Sequence, residues 1–346
     1  MPRIGKKPAK FDMKTIEYID LFCGIGGFRL AMQNAASRTT RVECVFSSDI
    51  DEECRRAYSS NFGETPEGDI TALESSEIPD HDILLAGFPC QPFSIIGQMK
   101  GFDDTRGTLF FDIARILEAK MPKAFVLENV KLLAGHNQGR TLSRIIETLR
   151  DLGYECEYKV LNALDFGLPQ KRERIFIVGV SNPAKKFEWP IGNQPMRPLN
   201  DVLENGVSKK FFASSHIKAK RKAKVKKNGL PSKPNIWHEN KGGNVSVHPF
   251  SCALRAGASY NYLLVNGERR LTPREMLRLQ GFPDDFEIVC NDSQTRKQAG
   301  NSLPVPVASQ VIKSVLGCIG YYKQDYAKDA DSFAQSRLLE KAEVYR

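Results

Sequence analysis

The chain has 346 residues, of which 41% are hydrophobic and 26% are charged, a composition typical of a globular protein with one large or two ordinary domains. It contains no run of eighteen apolar residues, and the basic start MPRIGKKPAKFDMKT has no apolar core, so we expect neither a membrane-spanning helix nor a secretory signal. The net charge of +9 favours a polyanionic partner.

The first half of the chain alternates short apolar runs with segments of helical periodicity. This alternation predicts an α/β fold with a mostly parallel, doubly wound sheet. The predicted strands cover 16–22, 42–48, 82–88, 124–130, 156–163 and 174–180, and the predicted helices begin near Gly27 and cover 54–61, 108–120 and 139–154.

The amino-acid composition changes after Asn182. Residues 183–268 are rich in Pro, Gly, Asn and Lys, which indicates a second, smaller domain or a large insertion. Within it, KAKRKAKVKK (218–227) carries seven basic residues in ten and predicts a solvated, mobile loop that binds phosphates.

Regular structure is predicted again near the C-terminus. Thr272 and Glu275 have the spacing of a capping box, Pro273 suits the first position of a helix, and Gly281 marks its end. A last helix is predicted over 305–322, followed by a polar tail.

The eight cysteines form no CxxC pair, and the five histidines form no pair at i,i+4 spacing. Metal sites and disulfide frameworks usually show such spacings. We therefore expect free thiols, no bound metal and the reducing environment of a cytoplasm.

DLFCGIGGF (20–28) joins the first strand to the first helix. Its glycines let the backbone approach a ligand closely, and the helix N-terminus behind them favours polar or anionic groups. Arg29 stands where a third glycine of GxGxxG belongs, so this motif alone does not separate nucleotide binders from S-adenosylmethionine binders. Asp49 follows the second strand at the position of a ribose-binding acid, and Asp69 precedes the third as a candidate acceptor for an adenine amino group or a simple turn residue.

Two reactive side chains follow neighbouring apolar strands. Cys90 lies between two prolines in GFPCQPFS, and Glu128 lies in ENV at the end of the fourth predicted strand. Ligands of such sheets bind at the carboxyl ends of the strands, so the thiol and the carboxyl are expected to share a pocket. In QKRERIFIVGV (170–180), period two places Gln170, Arg172 and Arg174 on one face, where arginine suits a planar base or a phosphate.

Together these segments resemble the DNA (cytosine-5) methyltransferases of bacterial restriction–modification systems. The similarity rests on DLFCGIGGF, GFPCQPFS, ENV, QKRERIFIVG, RRLTPREMLRLQGFP and AGNSLPVPVA (299–308), which occur in the order of that family. It covers about residues 17 to 316 except 183–250, and Ile50 stands where some relatives carry an aromatic residue.

The resemblance implies a Rossmann-like, S-adenosylmethionine-dependent methyltransferase domain and a smaller, irregular target-recognition domain. Because AGNS belongs to the cofactor site in that family, the catalytic domain is expected to be discontinuous, formed by 1–185 and 296–346, with recognition and hinge segments in 186–295.

The resemblance also implies a covalent mechanism on a cytosine flipped out of double-stranded DNA. Cys90 would attack C6 of the base, Glu128 would contact N3, and Arg172 and Arg174 would hold the O2 side. The cofactor contacts that it implies are Phe22, Gly24, Gly26, Asp49, Ile50, Asp69, Ile70, Asn301 and Ser302.

The loop after Cys90 has glycines at 97, 101 and 107 and is predicted to close over DNA. The family further implies a monomer, functionally paired with a restriction endonuclease. The candidate DNA contacts are Ser94, Lys100, Arg106, Lys218, Lys220, Arg221 and Lys222.

Three other functions remain open from the residues. A tRNA cytosine-5 methyltransferase would share the catalytic half and act on folded RNA. An NAD-dependent oxidoreductase would use the glycine-rich turn but leaves Cys90, Glu128 and the paired arginines unexplained. A DNA-binding protein without catalysis would need neither Cys90 nor Glu128.

Overall fold

The computed structural model describes residues 14–37, 40–89, 109–184, 186–225 and 230–321. Its strands are β1 (Lys14–Leu21), β2 (Thr40–Ser48), β3 (Ile83–Ala86), β4 (Ala124–Val130), β5 (Glu155–Asn162), β6 (Gln170–Lys171), β7 (Glu173–Val180), β8 (Ile236–Glu239), β9 (Val245–His248), β10 (Ser251–Cys252) and β11 (Leu263–Val265). Its helices are α1 (Gly27–Ala35), α2 (Glu52–Phe62), α3 (Leu109–Lys120), α4 (Arg140–Asp151), α5 (Ser215–Lys224), α6 (Pro273–Gln280), α7 (Asp292–Asn301) and α8 (Val305–Cys318).

Six strands form the central sheet in the order β2-β1-β3-β4-β7-β5. The pairs among β1 to β4 are parallel, whereas β7 runs antiparallel to both β4 and β5. The mostly parallel α/β sheet predicted from the sequence is therefore confirmed. The reversed strand follows from the connection before it, since a short link without a crossover helix cannot join parallel neighbours.

The sheet is covered on both faces. Successive residues of β3 and β4 are buried, and they alternate between two apolar cores. One core contains side chains of α1 and α8, and the other contains side chains of α3 and α4. A strand buried on both faces needs an unbroken apolar run, which explains ILLA in β3.

The predicted capping box begins α6. The backbone N–H of Glu275 donates to Thr272 Oγ1 at 3.2 Å, and the N–H of Thr272 donates to Glu275 Oε2 at 2.8 Å. Gly281 ends the helix with a φ of 85°, which a residue with a side chain adopts at a cost.

The C-terminal helices return to the first part of the chain. Helix α8 packs on α1, and α7 bonds to the start of α2 through Lys297 and Asp51, 2.7 Å apart. The predicted domain boundary between residues 295 and 296 falls inside α7. We therefore propose that the recognition part ends before Asp292, since α7 packs as one helix on the catalytic part.

The intervening part is less regular. Strands β11, β8 and β9 form a small antiparallel sheet in that order, and β10 pairs with β6 beside the central sheet. The basic run 218–227 was predicted as a loop, but its residues up to Lys224 belong to helix α5 (Ser215–Lys224), and 226–227 lie outside the described residues. Lysine, arginine and alanine are strong helix formers, and Ser214 caps the helix by accepting from the N–H of Ile217.

The structure also bears on the membrane-spanning helices and the C-terminal tail considered from the sequence. No helix among the described residues is long and apolar enough to cross a membrane. The predicted tail beyond residue 322 lies outside the described residues, and α8 ends at Cys318.

Candidate active site

The glycine-rich turn after β1 is built from left-handed backbone. Phe22, Gly24 and Gly26 have φ angles of 54°, 55° and 85°. A Cβ atom on Gly26 would lie 2.2 Å from the ring of Phe62, so this N-cap of α1 requires glycine. A Cβ on Gly24 would meet nothing within 4 Å, which leaves open space over the turn.

Asp49 holds this turn in place. Its carboxylate accepts from the backbone N–H of Gly24 at 2.8 Å and from that of Asp51 at 2.8 Å. Burial raises the pKa of Asp49, and these two N–H groups oppose the rise. The neighbouring Ile50 is 74% exposed beside this cradle. Open backbone, an acid and an apolar side chain are what the sugar and base of S-adenosylmethionine need, so the residues fit that cofactor.

The predicted cofactor contacts Asp69 and Ile70 both have structural roles. Asp69 Oδ1 accepts from the N–H and the hydroxyl of Thr71. Asp69 thereby caps the N-terminus of a short 3-10 turn. Ile70 is buried in the core between the sheet and α3. Only the remaining surface of Asp69 is left for a ligand, so its cofactor role stays a prediction.

The family resemblance predicts that the AGNS segment (299–302) lies beside the glycine-rich turn, and the segment does reach that turn. Ser302 Oγ lies 3.0 Å from the position that a Cβ on Gly27 would occupy. Asn301 is exposed at the end of α7. Residues almost 280 positions apart therefore border one site.

Asp20 is a buried carboxyl at the end of β1, beneath the same turn. It is fully buried, and neither carboxyl oxygen has a hydrogen-bond partner of good geometry among the described residues. Burial raises its pKa to about 8, although the charge of Arg29 opposes the rise. The folded protein therefore holds this proton at pH values where the unfolded chain has released it.

Replacing Asp20 by asparagine is expected to flatten the pH dependence of stability. Because the pKa is higher in the folded state, the contribution of Asp20 is complete below about pH 4 and is lost as pH rises towards 8. The slope is at most about 1.4 kcal/mol per pH unit for one proton. Urea unfolding at pH 5 and pH 8 measures it, with Glu17→Gln, an exposed position of the same strand, as control. Equal slopes in wild type and Asp20→Asn would refute the assignment.

Glu128 and Arg174 meet at the edge of the sheet. In the antiparallel pair of β4 and β7, Glu128 lies opposite Phe176 and Val130 lies opposite Arg174, so the two charged residues are diagonal neighbours on one face. Arg174 Nε lies 2.9 Å from Glu128 Oε1. Glu128 is only 9% exposed, and burial raises its pKa against the opposing charges of Arg174 and Arg172. Burial therefore favours the protonated form of this carboxyl more than water does, and a protonated carboxyl can donate to a ligand.

Asn129 is a site residue that the sequence reasoning missed. Its side-chain amide donates to the carbonyl oxygen of Phe88 at 2.9 Å, and its own oxygen accepts from the N–H of Val130 at 2.8 Å. This buried amide ties the end of β4 to the segment that leads to Cys90. The sequence feature that could have identified Asn129 is its position in ENV, directly after Glu128. Cys90 itself lies outside the described residues.

Arg172 is engaged by backbone and is fully buried. Its guanidinium donates to the carbonyl oxygens of Leu254, Gly300 and Ser302. Gln170 acts beside it, accepting from the N–H of Leu254 at 3.0 Å and donating to the carbonyl of Leu279. Both terminal nitrogens are thus engaged, whereas Nε has no partner among the described residues. We propose that Arg172 acts as a positioning residue, and its contact with the O2 side of a base stays a prediction.

Some of the candidate DNA contacts are exposed, whereas others are buried and paired within the protein. Lys220 and Lys222 are exposed on α5, while Lys218 is partly buried and pairs with Glu268. Arg221 is 2% exposed and pairs with Glu239 at 2.9 Å, so we omit it from the proposed DNA contacts. The remaining candidates, which lie outside the described residues, are Ser94, Lys100 and Arg106.

A family model for C-5 cytosine-specific DNA methylases matches residues 16–317. The chain belongs to the C-5 cytosine-specific DNA methylase family. It is 59% identical over 302 residues to Type II methyltransferase M.NgoBI of Neisseria gonorrhoeae, covering 86% of this chain and 93% of that one. It is 53% identical over 309 residues to Type II methyltransferase M.HaeII of Haemophilus aegyptius, covering 89% and 95%.

Solved structures support the fold of this C-5 cytosine methylase. The Dnmt2 methyltransferase of S. pombe superposes with a TM-score of 0.67 at 20% identity, covering 88% of this chain and 99% of that one. The Entamoeba histolytica methyltransferase EhMeth gives a TM-score of 0.68 at 19% identity, covering 88% and 99%. The family excludes the oxidoreductase alternative, and the much higher identity to the Type II enzymes favours DNA over tRNA as substrate.

Proposed function

We propose that this methylase transfers a methyl group from S-adenosylmethionine to C5 of one cytosine in a specific double-stranded DNA sequence. The observation that carries the proposal is the buried Glu128–Arg174 pair. Glu128 lies in β4, which pairs with β3, and β3 is followed directly in the sequence by the segment of Cys90. An acid with a raised pKa beside an arginine suits a neutral base that becomes electron-rich during reaction.

Cys90 is proposed to start the reaction as a thiolate. Its sulfur bonds to C6 of the cytosine, and the electron pair of the C5–C6 double bond moves into the ring. Glu128 gives its proton to N3 and so neutralises the charge that develops there. Arg174 donates to the O2 side and keeps the ring in the plane of the pair. C5 becomes the nucleophilic carbon.

S-adenosylmethionine would supply an electrophilic methyl group, whose bond to the sulfonium breaks as the bond to C5 forms, leaving neutral S-adenosylhomocysteine. The turn at Gly24, with Asp49 and Ser302 on either side, is proposed to hold the cofactor. A base then removes the proton from C5, and that electron pair re-forms the C5–C6 double bond and expels the Cys90 thiolate. The proton on N3 returns to Glu128 as the thiolate leaves, so both side chains end in their starting states.

The target base has to leave the DNA stack first, at a cost of a few kcal/mol. Phosphate contacts by Lys220 and Lys222 on α5 are proposed to offset part of this cost. Lys100 and Arg106, in the loop after Cys90, are proposed to close over the DNA.

The relatives carry the names of Type II methyltransferases from bacteria. We infer that this chain likewise protects host DNA from a companion restriction endonuclease, as a monomer in a bacterial cytoplasm. The seven cysteines of the described residues are all free thiols, which suits such a reducing compartment.

The purified protein, given S-adenosylmethionine and unmethylated genomic DNA, is expected to place 5-methylcytosine in one short recurring motif. Sequencing of the modified cytosines reads the motif directly, and folded tRNA serves as the matched alternative substrate. Methylation of tRNA but not of DNA would overturn the proposed substrate.

A further inference from the structure

We propose that Arg255 reads a guanine of the recognition sequence through the major-groove edge of that base. This inference rests on the proposed action on double-stranded DNA and names a specificity-determining residue for it. Four features of the segment around Arg255 support it.

The segment is anchored to the catalytic strands. The N–H of Leu254 donates to Gln170 Oε1 at 3.0 Å, and its carbonyl accepts from Arg172 at 2.8 Å. On the other side, a Cβ on Gly300 would lie 2.4 Å from the backbone nitrogen of Ala256. The backbone at Arg255 is thus clamped between the arginine-bearing strand and the segment next to the cofactor turn.

The Arg255 side chain is held in place by an aromatic ring. Its guanidinium lies 4.8 Å from the centroid of the buried Tyr262 ring, and its backbone N–H donates to the Tyr262 hydroxyl at 3.0 Å. A guanidinium stacked on a ring keeps its edge donors free and loses little conformational freedom on binding.

Arg255 also lacks a partner for those donors. Its guanidinium has no hydrogen-bond acceptor or carboxylate among the described residues, although it is only partly exposed. Nearby arginines differ, since Arg296 donates to the carbonyl of Ala258 and Arg269 pairs with Glu275 at 2.7 Å. A rigid arginine with free donors is poised for an external acceptor.

The groups around Arg255 do not neutralise its charge. His238, whose ring is edge-on to Tyr262, has a lowered pKa because of burial and of the nearby charges of Arg255, His248 and Arg221. Both histidines are thereby disfavoured as cations, and Arg221 is paired with Glu239, so the Arg255 guanidinium is the charge of this group without an acidic partner among the described residues. The exposed lysines of α5 are flexible and suit phosphates, whereas the fixed fork of Arg255 suits the O6 and N7 acceptors of guanine.

The experiment replaces each guanine of the mapped motif by 7-deazaguanine, which removes N7 but keeps base pairing. Wild type is expected to lose about 5- to 150-fold in kcat/KM at one guanine, the cost of one bidentate contact. Arg255→Gln is expected to be slower on the natural duplex and to show no penalty at that guanine. Arg197→Gln, an exposed arginine of the same part of the chain, keeps the penalty.

Two outcomes would overturn the inference. In one, Arg255→Gln keeps the full penalty at every guanine. In the other, Arg255→Gln weakens binding equally on all sequences and lowers the salt slope by about one, which identifies a phosphate contact. Arg255→Lys keeps the charge and is used if the glutamine variant has a lowered Tm. Absence of DNA methylation by wild type would instead refute the proposed function.

Discussion

Replacement of Cys90 by serine is expected to lower kcat for cytosine methylation by about 10⁴-fold or more. A hydroxyl is far less acidic than a thiol, so it presents almost no anion to C6 at neutral pH. Without that addition C5 stays a poor nucleophile, while the cofactor turn at Gly24 and Asp49 is untouched. Binding of S-adenosylmethionine, measured by thermal stabilisation, is therefore expected to persist in the variant.

A duplex carrying 5-fluorocytosine at the target position tests the covalent step separately. After methyl transfer, C5 bears fluorine instead of a removable proton, so the Cys90–C6 bond cannot break by the normal route. Wild type is expected to give a protein–DNA adduct stable on a denaturing gel. Cys252→Ser, at a partly buried cysteine that the proposed reaction does not use, is the control. An adduct in Cys90→Ser would show that another residue is the nucleophile.

Replacement of Glu128 by glutamine is expected to lower kcat by about 10²- to 10⁴-fold. The amide keeps the shape of the side chain but cannot transfer a proton to N3. It also leaves the guanidinium of Arg174, 2.9 Å from the present carboxyl, without its charged partner. Methyl transfer in single-turnover experiments measures the loss directly.

The pH profile distinguishes this role from a structural one. Burial raises the pKa of Glu128, so the proton that the reaction needs is present at low pH and lost as pH rises through that pKa. Wild-type kcat is expected to show this descending limb, and Glu128→Gln is expected to lack it. Glu173→Gln, on the same sheet edge and paired with Lys131, is the control that keeps it. An unchanged limb in Glu128→Gln would assign the titration to another group.

The sequence predicted the strands of the sheet well because buried strands leave a clear apolar signal. The reversed direction of β7 could also have been predicted from the sequence, because no helical pattern separates CEYKVLNA from RIFIVGV. Helix α7 was missed because its sequence, DSQTRKQAGN, is polar and has little amphipathic pattern. It forms because Asn291 caps its N-terminus and because it packs on α2 through Lys297 and Gln298.

Roles of individual arginines could not be predicted in the same way. Arg172 and Arg174 share one face by period two, yet one donates to three backbone carbonyls and the other meets Glu128. Arg221 lies between the exposed Lys220 and Lys222 but is buried against Glu239. The acceptors in each case come from residues far away in the chain, so spacing alone carries no information about them.

The packing of α8 on α1 has a consequence for synthesis of the protein. Helix α1 leaves the ribosome early, and the helix that covers its apolar face follows about 270 residues later. Contacts between segments so distant form slowly, and the exposed face of α1 is a natural binding site for chaperones in the interval. Ser302, which borders Gly27 in the folded protein, therefore reaches the glycine-rich turn late in synthesis.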